Sequence, residues 1–238
     1  LAPQENCFAF RSAGQLGWLD LLRPIASSFS GFGPKSTGGE DSAGPVTRWF
    51  STNTFYRKPA ISSAISCAGH ELASFLPAIK EGIAFLPGPY SFFRLSKSAF
   101  YREGAEFARD YGKAIAKSAP HLLDRGYRAI IFSEPSVGHD IGKKNFDDSS
   151  WDAGYLADVA AGGLAVGVNF PLAEAAKALE LAENSRADFI GLDMRCSELA
   201  GLESRKDVLL GVVDGARIGV EPPQQIVSSV EKSLSRSD

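Results

Sequence analysis

Ala129-Ile130-Ile131-Phe132, followed at once by Ser133-Glu134-Pro135, decides the fold. Four consecutive apolar residues leave no polar face, which is how a strand covered on both sides reads, and such strands belong to parallel sheets. The same grammar repeats outward from this stretch. Short apolar runs recur at 7–10, 82–86, 164–168, 189–192 and 208–213. The segments between them change period. Phe107, Tyr111, Ile115 and Leu122 share a helical face opposite Arg109, Asp110 and Lys113, and Ile226, Val230 and Leu234 repeat every four residues behind Pro222 and Pro223, prolines suited to a helix start. Strands alternating with helices imply parallel βαβ units, hence a doubly wound sheet or a (β/α)8 barrel.

Polar residues sit directly after the apolar runs: Ser133 and Glu134, then Asn169, Asp193 and Asp214. A ring of polar groups at successive strand C-termini is what the catalytic face of a barrel requires, so the TIM-barrel type is expected over the open sheet. Glu134, Asp193 and Asp214 are the candidate catalytic carboxylates, with Ser133 and Asn169 as candidate substrate contacts. A turn at Asp214-Gly215 and a helix cap at Asp193 use the same residues for bland purposes.

Two stretches break the alternation. Residues 30–45 are rich in Gly, Ser and Pro and read as a loop without periodicity. Behind them, 47–59 reads TRWFSTNTFYRKP, where Arg48, Arg57 and Lys58 alternate with Trp49, Phe50, Phe55 and Tyr56. Aromatics at this density pack over a site or against another chain, and the cations suit an anionic small substrate. A hairpin that only packs on the domain has the same composition. Pro87-Gly88-Pro89 forms a rigid turn whose backbone can approach a ligand, and His139-Asp140, after Glu134, suits a proton-transfer group on the rim.

Composition removes other classes. The chain of 238 residues carries 25 Lys and Arg against 28 Asp and Glu, a net charge of -3, which excludes a basic nucleic-acid scaffold. Apolar residues at 44% and charged residues at 22% exclude disorder. No apolar run reaches the roughly 18 to 20 residues of a membrane span, and no secretory leader is visible at residues 1–6, so a cytoplasmic location without membrane contact is expected. Cys7, Cys67 and Cys196 show no CxxC spacing, and His70, His121 and His139 show neither HxC nor HExxH spacing, so no metal site can be written from local sequence.

Two strings carry a resemblance: the Trp-Phe-x-Thr-Asn-x-x-Tyr string within 47–59, and Leu-Pro-Gly-Pro-Tyr-x-Phe at 86–92. With Gly14-Gln15-Leu16, Ser133-Glu134-Pro135 and LLGVVDGARIGVE at 209–221, the chain resembles the cobalamin-independent methionine synthase family, in its amino-terminal barrel type. The resemblance implies duplicated (β/α)8 barrels that move a methyl group from a methyltetrahydrofolate polyglutamate to homocysteine, whose thiolate is held by zinc. It also implies substrate contacts from Gln15, Arg48, Trp49, Asn53, Arg57, Lys58, Ser133 and Asn169. The catalytic barrel type carries His-x-Cys where this chain has Asn169-Phe170-Pro171, a Glu where it has Gln15, and an Asp where it has Ser133. This chain is therefore expected to bind no cofactor itself, with zinc on a separate catalytic barrel. The alternatives are a non-catalytic binding subunit, or a barrel methyltransferase fed by a corrinoid protein. Six apolar runs against eight strands lead to the expectation of one TIM-barrel-like domain over 1–238, lacking the first and last strands, with 30–60 inserted as a loop and an aromatic, basic hairpin.

Overall fold

The structure, a computed structural model, describes residues 22–33, 45–49, 55–141, 143, 151, 153–193, 203–212 and 222–234. The chain enters through α1 (Leu22–Ser28) and β1 (Ser30–Phe32), then forms the hairpin β2 (Val46–Arg48) and β3 (Phe55–Arg57). Next come β4 (Ala60–Ser66), α2 (His70–Phe75), β5 (Gly82–Pro87), α3 (Pro89–Arg94), β6 (Lys97–Ser98) and the long α4 (Gly104–Asp124). The second half runs β7 (Tyr127–Ser133), α5 (Pro135–Asp140), α6 (Tyr155–Ala160), β8 (Ala165–Asn169), α7 (Ala175–Glu183), β9 (Phe189–Asp193), β10 (Asp207–Gly211) and α8 (Pro223–Leu234).

The five apolar runs from residue 82 onward become one parallel sheet, ordered β10-β9-β8-β7-β5. Alternation along each strand gives the sheet two faces. Ala84, Leu86, Ile130, Phe132, Val166, Val168, Ile190 and Leu192 are buried in the main core on the helix side. Ala129, Ile131 and Phe189 face the other way, packed with Ile83 and Phe85 in a second, smaller cluster. On the helix side, Phe107 and Tyr111 of α4 lie with ring centroids 5.7 Å apart, and Phe132 meets Tyr155 of α6 edge to face at 5.1 Å. Tyr111 donates its hydroxyl hydrogen to the Pro87 carbonyl at 2.7 Å, which ties α4 to the end of β5.

The expected architecture is met in its parallel α/β character and sequential strand order. Among the described residues the strands form an open sheet of five, not a closed ring of eight. The run at 7–10 lies outside the described residues. The loop expected over 30–45 is also revised at its start. Ser30–Phe32 is a strand, antiparallel to β4, and β4 pairs in parallel with β6 to complete a three-stranded sheet. A strand of three residues is too short to display a period, so its sequence reads as loop. No helix among the described residues is long and apolar enough to cross a membrane.

Candidate functional site

The register places polar groups together where the parallel strands end. Pro87 pairs with Ser133, Ser133 with Asn169, and Asn169 with Gly191, so these positions form one row across four strands. Asp193 lies two residues beyond Gly191 and therefore on the same face. A side chain at Gly191 would collide with Asn169, its Cβ falling 2.6 Å from Asn169 Oδ1, so the bare glycine leaves room for the amide over β9. Asp193 is 7% exposed, and its Oδ2 accepts the Leu172 N–H at 3.4 Å. A hydroxyl, an amide and a carboxylate thus lie at the ends of neighbouring strands on the smaller-cluster face. This set can bind an ammonium group or hydroxyls. It offers neither thiolate nor imidazole, and among the described residues no three His, Cys, Asp or Glu side chains converge as a metal centre.

Glu134 points elsewhere. Ser133 is the last residue of β7, and at Glu134 the chain has already left the strand and turns into α5. Glu134 is fully buried, and its two carboxyl oxygens accept the Tyr90 N–H at 3.2 Å and the Ser91 N–H at 2.7 Å, the first donors of α3. The Gly88 N–H donates to the Ser133 carbonyl at 2.8 Å, and the Glu134 N–H donates to the Asn169 carbonyl at 2.8 Å. Three successive turns at the strand ends are therefore stitched together through this residue. Burial pushes the Glu134 carboxyl up to about 7, against the hydrogen bonds from Ser91 and Tyr90 that favour its charged form.

The same two helices are joined again at their far ends. Asp140 of α5 accepts hydrogen bonds from the Tyr90 hydroxyl at 3.2 Å and Arg94 Nε at 3.1 Å. His139 Nδ1 and Lys143 Nζ stand 3.0 and 3.3 Å from its other oxygen. Burial raises the Asp140 carboxyl, but the bonds from His139 and Arg94 outweigh it and hold the group below the usual carboxylate range. The His139-Asp140 pair, expected as a proton-transfer group, thus forms part of an ion-pair network binding α3 to α5. The Asp140 carboxylate as a partner of Arg94, forty-six residues away, has no local signal in the sequence.

The hairpin separates its residues by face. Thr47 pairs with Tyr56 and Arg48 with Phe55. Trp49 and Tyr56 are buried and meet edge to face at 5.5 Å, and the Tyr56 hydroxyl donates to the Leu95 carbonyl at 3.0 Å, so Trp49 serves the packing of the hairpin. Arg48, Phe55 and Arg57 are exposed, with the Arg48 guanidinium over the Phe55 ring at 5.6 Å, while Lys58 is half-buried. The candidates Gln15, Asn53 and Asp214 lie outside the described residues.

A parallel α/β scaffold with a polar row at its strand C-termini and a rigid Pro-Gly-Pro turn beside it defines a class of small-molecule sites. Residues 35–237 match the family described as the cobalamin-independent synthase, N-terminal domain, and the chain belongs to that family. The family is that of the cobalamin-independent methionine synthases, methyltransferases of methionine biosynthesis. Two solved structures share the fold. One is a B12-independent methionine synthase from Shewanella sp. W3-18-1 in complex with selenomethionine, 16% identical, with a TM-score of 0.63 over 90% of this chain and 67% of that one. The other is a protein from Listeria monocytogenes described as a vitamin-B12-independent methionine synthase, 14% identical, with a TM-score of 0.54 over 75% of this chain and 64% of that one. The chain thus spans about two thirds of the length of these proteins. No curated protein matches it in sequence.

Proposed function

We propose that this chain is an amino-terminal-type member of the cobalamin-independent methionine synthases, taking part in methyl transfer from a methylfolate to homocysteine. The observation that carries the reading is the row of Ser133, Asn169 and Asp193 at the ends of adjacent parallel strands, in a chain that matches the family over residues 35–237. The five-stranded sheet is read as part of a barrel closed by the rest of the molecule. A methionine-type amino acid, such as the selenomethionine held by the Shewanella protein, would find at this rim a carboxylate for its ammonium group and an amide and a hydroxyl for its carboxylate.

Homocysteine must lose its thiol proton to take the methyl group, and zinc lowers a thiol pKa. The rim's oxygen and amide donors do not suit that metal, so the proposal assigns zinc to a separate catalytic barrel. Homocysteine methylation is expected only when this chain is mixed with a zinc-bearing catalytic barrel of the family, while the chain alone retains well under one equivalent of zinc after dialysis. Turnover by the chain alone, or one tightly held zinc lost in Cys67→Ser or Cys196→Ser, would overturn the division of labour.

The hairpin's exposed face supports a role for its cations in holding the polyglutamate tail. Arg48→Ala with Arg57→Ala is expected to weaken a triglutamate methylfolate about fivefold and the monoglutamate form little, with added salt shrinking the difference. Arg48 over the exposed Phe55 ring contributes only about 0.5–1 kcal/mol, so Arg48→Ala alone should barely move the thermal midpoint. A large loss of thermal stability, with both folates bound as before, would assign these arginines to packing.

A further inference from the structure

In the main core, next to the turns that leave β7 and β8, stands a buried donor that packing alone does not explain. Trp151 is 4% exposed, and its ring meets that of Phe170 edge to face at 5.3 Å. Its indole Nε1 has no hydrogen-bond partner among the described residues. A buried N–H left without an acceptor costs about 1–3 kcal/mol, and a phenylalanine would pack its ring without that cost. The indole N–H does have a polar neighbour. It lies near enough to the Glu134 carboxyl to favour the charged form, without closing a hydrogen bond of ordinary geometry.

Both neighbours of Trp151 adjoin the polar row. Phe170 follows Asn169 in the chain and Glu134 follows Ser133. Ser133 pairs with Asn169, and the Glu134 N–H donates to the Asn169 carbonyl at 2.8 Å. Trp151 therefore meets β8 and β7 one residue past each of two members of the row. The Glu134 carboxyl already accepts the Tyr90 and Ser91 N–H groups, and the Ser91 hydroxyl also favours its charged form. All of these neighbours are donors, and a donor holds a carboxylate about twice as strongly as a neutral acid.

We infer that Trp151 is a positioning residue of the strand-end row: its N–H closes on the Glu134 carboxylate once the proton has passed to solvent, and the indole, seated on Phe170, then fixes the exits of β7 and β8 next to Ser133 and Asn169. The effect on ligand rests on the amino-acid reading of the row given above, whereas the contact between Trp151 and Glu134 does not. The other groups around Glu134 keep their charge while it titrates. Burial holds the Tyr90 hydroxyl of α3 up at about 12 and the Tyr111 hydroxyl of α4 well above its ordinary value. On α5, Asp140 is already below the usual carboxylate range and is met by Arg94, His139 and Lys143, with the Tyr90 hydroxyl on its near side.

Two measurements on the full chain test this, and the first needs no ligand. The Trp151 indole N–H resonance, identified by its loss in Trp151→Phe, should move downfield in one step between about pH 5.5 and about 8.5. The step should vanish in Glu134→Gln, whose amide does not titrate, and persist in His139→Asn. In the second, titration calorimetry, wild-type affinity for L-methionine should rise about fivefold over the same range. Trp151→Phe keeps a ring on Phe170 and should flatten that rise, as should Glu134→Gln. An indole resonance that stays still, or moves alike in Glu134→Gln, overturns the contact. If methionine affinity rises equally in wild type and Trp151→Phe, Trp151 only packs, and the positioning role fails while the reading of the row stands. If the indole titrates but methionine binds at neither pH, the reading of the row fails and takes the positioning role with it.

Discussion

Glu134→Ala is expected to lower folding stability by about 2–5 kcal/mol, read from the urea midpoint at pH 6 with an unchanged slope. The carboxyl accepts two N–H groups at the start of α3, and each buried donor stranded by its removal costs about 1–3 kcal/mol. Gly88 supplies an internal check. A Cβ there would stand 2.2 Å from Glu134 Cδ, so Gly88→Ala on its own should cost about 1–3 kcal/mol through overpacking. In the Glu134→Ala background the collision is gone, and Gly88→Ala should cost little. An equal cost in both backgrounds would mean that the glycine is required by something other than the carboxyl beside it.

The same carboxyl sets a pH dependence whose direction follows from its displacement. Burial raises Glu134 from 4.5 to about 7, so the folded state keeps a proton that the unfolded chain has released. Stability from this group is therefore complete below about 4.5 and falls as pH rises through about 7, by about 3 kcal/mol in all. Asp140 works in the opposite sense. Its lowered carboxyl contributes stability that is present at neutral pH and lost as pH falls through its folded value. The difference between wild type and Glu134→Gln isolates the Glu134 contribution, because the amide does not titrate. A stability difference that stays flat from pH 4.5 to 7.5 would show that Glu134 is ionised throughout.

The strands were legible because they are buried on both sides and carry continuous apolar runs. The runs at 82–86, 129–132, 164–168 and 189–192 each lie within one residue of a strand or wholly inside it. The helical face of Phe107, Tyr111, Ile115 and Leu122 is the buried face of α4 for the same reason. The candidate residues were legible in position and less so in direction. Ser133, Asn169 and Asp193 end their strands on one face, whereas Glu134, read as their companion, turns into α3. Glu134 lies just past the end of β7, so its direction is set by the turn into α5 and not by the alternation of the strand. The hairpin was ambiguous because Trp49 and Arg48 are neighbours with opposite fates, one packed and one exposed, and composition does not say which face is inward. Leu172 left no trace in the sequence, because a positive φ at a leucine belongs to tertiary packing and not to the residue's own preference.

Asp193→Asn is expected to weaken L-methionine binding about 10- to 100-fold while leaving the thermal midpoint within a few degrees. Asparagine keeps a side-chain oxygen that can accept the Leu172 N–H, so the turn behind β8 retains its anchor. What the substitution removes is the charge, and a hydrogen bond to a charged group in a shielded position contributes roughly 1.5–3 kcal/mol. Asp193→Ala removes charge and anchor together and should lower both binding and stability. The charge meets the α-ammonium group that methionine and alanine share, so Asp193→Asn should weaken both ligands alike and leave their ratio unchanged. If Asp193→Asn binds methionine as the wild type does, the carboxylate serves only to hold the Leu172 turn, and the ammonium group must be sought elsewhere on the rim.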